Sequence, residues 1–203
     1  MREINGYPNN TKQIFGNIGF ESEPLIKTNK ELVVVTGAGA NSGKMFFCLS
    51  QIYHLDETGI NAGYAKIETF PIWNLPLKHP INLAYEAATA DIKDKLMIDP
   101  FHKKHYKVSA VNYNRDINAF PVLKKIITKI AGKNNFMHKY NSPTDMGINM
   151  AKMGIINDGI VRTAAKKEIL RRKKLFLGMY KKKKTTKSTI KRINEVVRNA
   201  LLD

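Results

Sequence analysis

The stretch ELVVVTGAGANSGKMFFCLSQIYH, residues 31–54, decides how the chain is read. Leu32–Thr36 is a continuous apolar, β-branched run, the composition of a strand covered on both faces in a parallel sheet. It stops at a glycine-rich loop ending in Ser42-Gly43-Lys44, and a helical pattern follows from about Gly43 to His54. After a turn over residues 59–63, Tyr64–Phe70 alternates as a second strand. Strand, helix and strand in that order give an α/β core with a mainly parallel sheet and a right-handed crossover.

The loop has the parts of an anion seat. A helix N-terminus presents unpaired N–H groups and partial positive charge, glycines let backbone approach phosphate oxygens, and a lysine adds formal charge. Gly37, Gly39, Ser42, Gly43 and Lys44 supply these. The usual patterns are met only in part. A Walker A loop places glycine where Ala38 stands, and a metal-binding Ser or Thr where Met45 stands. A dinucleotide fingerprint wants a third glycine at Ser42, and Glu68 lies further along than its ribose-binding acid. Phosphate binding and a purely structural tight turn are the two readings of this corner; magnesium-dependent NTP hydrolysis is disfavoured by Met45.

Further along, three prolines and Trp73 make residues 71–80 a rigid connection, and Asn82–Asp91 is an alanine-rich helix. Leu96–Asp99 is a short apolar run with a Walker B-like ending, Val108–Tyr113 a strand, and Phe120–Ile130 a helix with Pro121 in its first turn. Thr144 or Asp145 is a cap for Met146–Met153. Asp158 opens a long helix to about Tyr180, and Ser188 caps a last one striped by Ile190, Ile193, Val197 and Leu201. The expected organisation is an α/β domain over residues 1–157 and a basic helical extension over 158–203.

The net charge of +17 is concentrated in that extension. Residues 161–203 hold 15 of the 34 Lys and Arg but only 3 of the 17 acids. A nucleic-acid contact would therefore run through residues 166–198, with Phe176 and Tyr180 for base stacking; the competing reading is a solvated basic face. No run approaches the roughly 18 apolar residues of a membrane span, so no membrane partner is expected. The single Cys48 forms no internal disulfide, which fits a cytoplasmic protein; among Phe46, Phe47 and Leu49 it reads as packing.

Polar residues elsewhere carry two readings each. Asn112, Asn114, Arg115 and Asp116 follow a strand, where open α/β sheets place ligands, and Arg115 is either a bidentate anion clamp or half of an ion pair. Asp145 is either a catalytic acid or a cap, and Glu86 a general base or a structural carboxylate. Asp99, His102 and His105 have the spacing of a metal set, but Pro100 interrupts it and three nearby lysines repel a cation; no metal is assigned.

Several stretches carry a family resemblance: GYAKIETFPIWNLPLKHPINLAYEAATAD (63–91), MIDPFH (97–102), AVNYNRDI (110–117), FPVLKKI (120–126) and SPTDMGINM (142–150). With these, from about Ile4 to Arg172, the chain resembles a bacterial family of unknown function, domain of unknown function 1846, also called uncharacterised protein family 0371. The resemblance implies a longer protein with a further α/β domain ahead of this one, so that the chain would be its C-terminal part, and that separate N-terminal domain becomes a candidate partner. Gly39, Ser42, Gly43 and Lys44 match the family's loop, whereas Ala38 replaces its proline and Asn41 departs from its glycine-rich spacing. After Arg172 the family pattern wants an aromatic where Lys173 stands. The family brings no reaction and names no cofactor.

The sequence thus predicts an α/β fragment of a larger enzyme that binds a phosphorylated small molecule or nucleotide. Gly39, Ser42, Gly43 and Lys44 are the binding residues, and Lys44, Arg115 and Asp145 the catalytic candidates. The alternative is a nucleic-acid-binding or interaction module working through the basic C-terminal helices.

Overall fold

The structure, a computed structural model, describes residues 10–39, 42–92 and 94–201. In chain order its elements are α1 (Thr11–Ile14), α2 (Lys44–Glu57), β1 (Lys66–Ile67), α3 (Pro80–Ala88), β2 (Leu96–Ile98), α4 (Pro100–Tyr106), β3 (Val111–Tyr113), α5 (Asn114–Ile130), β4 (Gly147–Ile148), α6 (Asp158–Lys181) and α7 (Lys187–Leu201). Short 3-10 turns lie at Phe20–Ser22, Phe136–Lys139 and Ala151–Gly154. The chain is therefore α/β with a helical C-terminal extension. β1 and β4 pair in parallel, β2 and β3 antiparallel.

The residues divide into two compact units. One gathers the chain up to Ala65 with Ala119–Tyr140; the other gathers Lys66–Asn118 and the chain from Asn141 onward. The boundary expected after residue 157 falls inside the second unit.

In the first unit the buried Phe20 ring meets Phe15 edge-on and Phe46 at a tilt, with centroids 5.9 and 5.3 Å apart, geometries that ring quadrupoles favour. Nε2 of His54 on α2 lies 2.9 Å from the Phe20 carbonyl. Gly59, with φ +79, turns the chain after α2. One expectation changes here. Leu32–Thr36 forms no ladder among the described residues, and Leu32, Val33 and Val34 are exposed. A strand needs a neighbour for its N–H and C=O groups, and none lies alongside.

In the second unit α3 packs on α6 and α7. Leu83, Ala84 and Ala87 meet Ala165, Ile169 and Phe176 of α6 and Ile193, Val196, Val197 and Ala200 of α7 in one apolar cluster. Alanines at the crossings let the helices approach closely. Arg192 Nη2 donates to Glu86 Oε1 at 2.6 Å, tying α7 to α3. Thr186, not Ser188, caps α7, accepting from the Thr189 N–H, and Asn157 caps α6. α5 begins at Asn114, so Pro121 lies inside it; from Ala119 the helix belongs to the first unit, where the lost N–H bond is offset by a fully buried face of Ile126, Ile127 and Ile130. Met146–Met153 is not a helix. A Cβ at Gly147 would lie 2.6 Å from the Trp73 ring, so this backbone runs against Trp73 as β4.

Asp99 organises a corner of the same unit. Fully buried, it caps α4, its Oδ1 accepting from the Phe101 and His102 N–H groups at 3.0 and 3.1 Å. Oδ2 accepts from Thr144 Oγ1 at 2.7 Å and from the Thr144 N–H at 3.3 Å. Asn112 of β3 donates to the same Thr144 hydroxyl. DPFH and SPTD are thereby joined across the sequence.

Two outcomes follow for urea unfolding. Ile193→Ala, which empties a fully buried position, lowers stability by about 2–5 kcal/mol. Asp99→Asn turns an amide N–H₂ toward donors that need an acceptor and lowers it by about 1–3 kcal/mol.

Candidate functional site

The glycine-rich loop folds on its own lysine. Gly43, the N-cap of α2, takes a left-handed φ of 78° and contributes no side-chain cap. The first turn of α2 carries no acid, so its partial positive charge is not offset locally. Lys44 Nζ donates to the Gly39 carbonyl at 2.7 Å and to Ser42 Oγ at 2.9 Å. A Cβ at Gly37 would lie 2.3 Å from Ser42 Oγ, so a larger residue there would displace the Ser42 hydroxyl. Beside Gly39, by contrast, the space is open. The loop thus brings together Gly39, Ser42, Gly43 and Lys44 with their polar atoms at an exposed corner. On the same helix Cys48 is half-buried, and burial pushes its thiol up.

Arg115 sits in a different environment, in the second unit. Its guanidinium lies 3.3 Å from Asp94 and 3.8 Å from Asp116, and over the Tyr113 ring at 5.6 Å. Asp116 also bonds Lys66, whose ammonium reaches Glu68 at 2.6 Å. Burial opposes the charge of Lys66, but Asp116 and Glu68 together outweigh it and raise its pKa. Burial pushes the Glu68 carboxyl up, with Lys66 acting against it. Tyr85, whose hydroxyl donates to Asp94 at 3.4 Å, is pushed up to about 12 by burial. This is an ion network with Arg115 at its partly exposed end. Lys66 and Glu68 sit two apart on one strand face, a signal the alternation of residues 64–70 already carried.

Asp145 belongs to another cluster. Its Oδ2 accepts from the Tyr106 hydroxyl at 2.9 Å and the Asn141 N–H at 2.8 Å. His102 Nδ1 lies 3.2 Å from Ser142 Oγ and 3.6 Å from Asp145 Oδ1. Serine, histidine and aspartate are thus adjacent, but one ring nitrogen faces both partners. A nucleophilic triad divides these roles between the two nitrogens, so this arrangement does not activate Ser142, which is also fully buried. His105 pairs with Asn141. With Asp99 spent on four donors, the spacing that suggested a metal set is used for capping and cross-links. Arg115 and Asp145 are not joined through β3: Asn112 reaches Thr144, while Tyr113, on the opposite strand face, carries Arg115.

Glu86 is structural, holding the Leu96 N–H at 2.7 Å and Arg192. Most of the apolar stripes of α6 and α7 pack with α3, though Leu201 is exposed, and Lys181–Lys184 form an exposed basic run. No described helix is long and apolar enough to cross a membrane.

Comparison with known proteins places these residues. The family model "Domain of unknown function DUF1846, N-terminal" matches residues 1–201. That corrects the expectation of a C-terminal part: the match is to the family's N-terminal model, and it continues through the lysine-rich helices. A UPF0371 protein of Fusobacterium nucleatum is 52% identical over 187 residues, 92% of this chain and 36% of its own length. One from Clostridium botulinum strain Kyoto is 52% identical over 187 residues, 92% of this chain and 37% of its own. Another, from Clostridium botulinum strain Alaska E43, is 53% identical over 171 residues, 84% and 34%. The chain therefore spans little more than a third of the curated relatives it matches, and it belongs to the uncharacterised DUF1846/UPF0371 family.

Proposed function

We propose that the loop formed by Gly39, Ser42, Gly43 and Lys44 binds the phosphate of a small molecule or nucleotide, as one part of a larger enzyme of the family. The observation that supports this is the position of the Lys44 ammonium. It is held over the loop by two neutral acceptors, a carbonyl and a hydroxyl, at the start of a 14-residue helix with no side-chain cap. An incoming phosphate oxygen replaces those neutral acceptors with an anionic one and adds the attraction of an ion pair, while the helix N-terminus adds its own. The open space beside Gly39 leaves room for the anion. In this reading Ser42 Oγ donates once Lys44 turns toward the ligand. Met45 offers no hydroxyl for a metal, so the loop serves anion capture rather than magnesium-dependent hydrolysis.

Lys44 is the residue assigned to the bound anion. Arg115 belongs to the second unit, where it faces Asp94 and Asp116 with a side chain that is 41% exposed, and it is a candidate anion contact of that unit by itself. Asp145, bonded to Tyr106 and Asn141, serves this reading less well.

Titration calorimetry with inorganic pyrophosphate and with a nucleoside triphosphate tests the proposal. Lys44→Ala is expected to weaken binding on the order of tenfold, the scale of one charge-assisted contact, with unchanged thermal unfolding. A wild-type chain that binds neither probe, or a Lys44→Ala chain that binds both as the wild type does, overturns it.

A further inference from the structure

The run that leads into the loop, Leu32–Val35, is apolar and follows a bend at Glu31 without further turn or bend. Among the described residues no hydrogen bond reaches the backbone of residues 27–36. Leu32, Val33 and Val34 are 78%, 53% and 66% exposed. Successive side chains of an extended segment alternate between two faces, so both faces of this run are bare. Yet the segment is anchored upstream. Gln51 of α2 accepts from the Ile26 N–H at 2.8 Å and donates to the Pro24 carbonyl at 3.0 Å, and Gly37 closes against Ser42. A β-branched run without turn or bend, whose N–H and C=O groups have no partner among the described residues, is a template for strand addition.

We infer that Leu32–Val35 is the docking edge for a β-strand from the polypeptide that family members carry outside the part this chain matches. The argument for that occupant is one of length. The aligned region takes up 92% of this chain but 36% of the Fusobacterium nucleatum relative, and residues 32–35 lie inside the matched family model. Nearly two-thirds of a relative is thus available to cover what is bare here. A second copy of this chain is the poorer fit. Its net charge is +17, and Lys27 and Lys30 flank the run, so edge-to-edge self-pairing would bring like charges together. The inference is independent of what the loop binds.

Amide hydrogen exchange on two intact proteins tests it: this 203-residue chain and the full-length Fusobacterium nucleatum relative. Amides 32–35 are expected to exchange close to the unstructured rate in this chain, with the chain monomeric by light scattering. The aligned amides of the relative are expected to be slower by about a hundredfold or more, the protection of a paired strand. Val34→Lys is expected to leave the unfolding of this chain unchanged, whereas the same residue at the aligned position of the relative restores fast exchange. Equally fast exchange in the unmodified relative overturns the inference. So does protection of 32–35 in this chain alone that rises with concentration as its mass doubles, which would make a second copy the occupant.

Discussion

A carboxylate with no access to water fixes the corner on which much of the second unit is built. Burying an ionised Asp99 costs several kcal/mol unless every lone-pair direction finds a donor, and here each oxygen accepts from two. Because two donors belong to α4 and two to Thr144, the helix start and the loop at 142–145 are placed by the same charge. The His102 ring then lies against Ser142 and Asp145, and Asn112 is drawn from β3 to Thr144. Chemistry-bearing residues gathered this densely look like an active centre in one dimension. In three, their hydrogen-bonding capacity goes to one another.

The two cations proposed for function differ in what holds them. Arg115 faces two carboxylates and a tyrosine ring, so recruiting it to a ligand means loosening ion pairs, one of them with the buried Asp94. Lys44 faces a carbonyl and a hydroxyl. Lys44 breaks no ion pair when it turns to a ligand, whereas Arg115 must loosen two, so Lys44 is the cheaper of the two to redirect. Its position at the head of α2 also places it where backbone N–H groups already point outward. Electrostatics therefore ranks the loop above the strand-end cluster as an anion seat, although both contain the residue types such a site needs.

Local periodicity made the helices legible and non-local pairing stayed hidden. The buried faces of α6 and α7 run through Ala165, Ile169 and Phe176 and through Ile193 and Val197, positions four or seven apart as one helix face requires. The start of α5 was masked by Pro121, which reads as a helix opening and here sits inside. Asn149 points the same way: in SPTDMGINM it looks like part of a capped helix, but it donates to the Pro71 carbonyl at 2.6 Å. Glu86 and Arg192 meet from 106 positions apart, and nothing near either residue announces the other. Of the candidate site, the loop residues were legible because a helix N-terminus is a local construction. The partners of Arg115 and Asp145 were not, since Asp94 and Tyr106 arrive by tertiary contact.

The run at Leu32–Val35 shows where the two kinds of information part. Its composition specifies a strand covered on both faces, and the backbone runs through it without turn or bend. What composition cannot supply is the neighbour, since a ladder is a property of two segments and only one is present. A run without a partner among the described residues, anchored upstream where Gln51 holds Pro24 and Ile26, has spent part of its ordering entropy before any ladder forms. A strand arriving there meets a preorganised edge, and the cost of docking falls accordingly. Because this edge runs directly into the loop of Gly39 and Lys44, pairing at Leu32–Val35 would also stiffen the approach to the anion seat. In the proposed reading, strand and seat are neighbouring parts of one assembly, to which this chain contributes the helix N-terminus and the lysine.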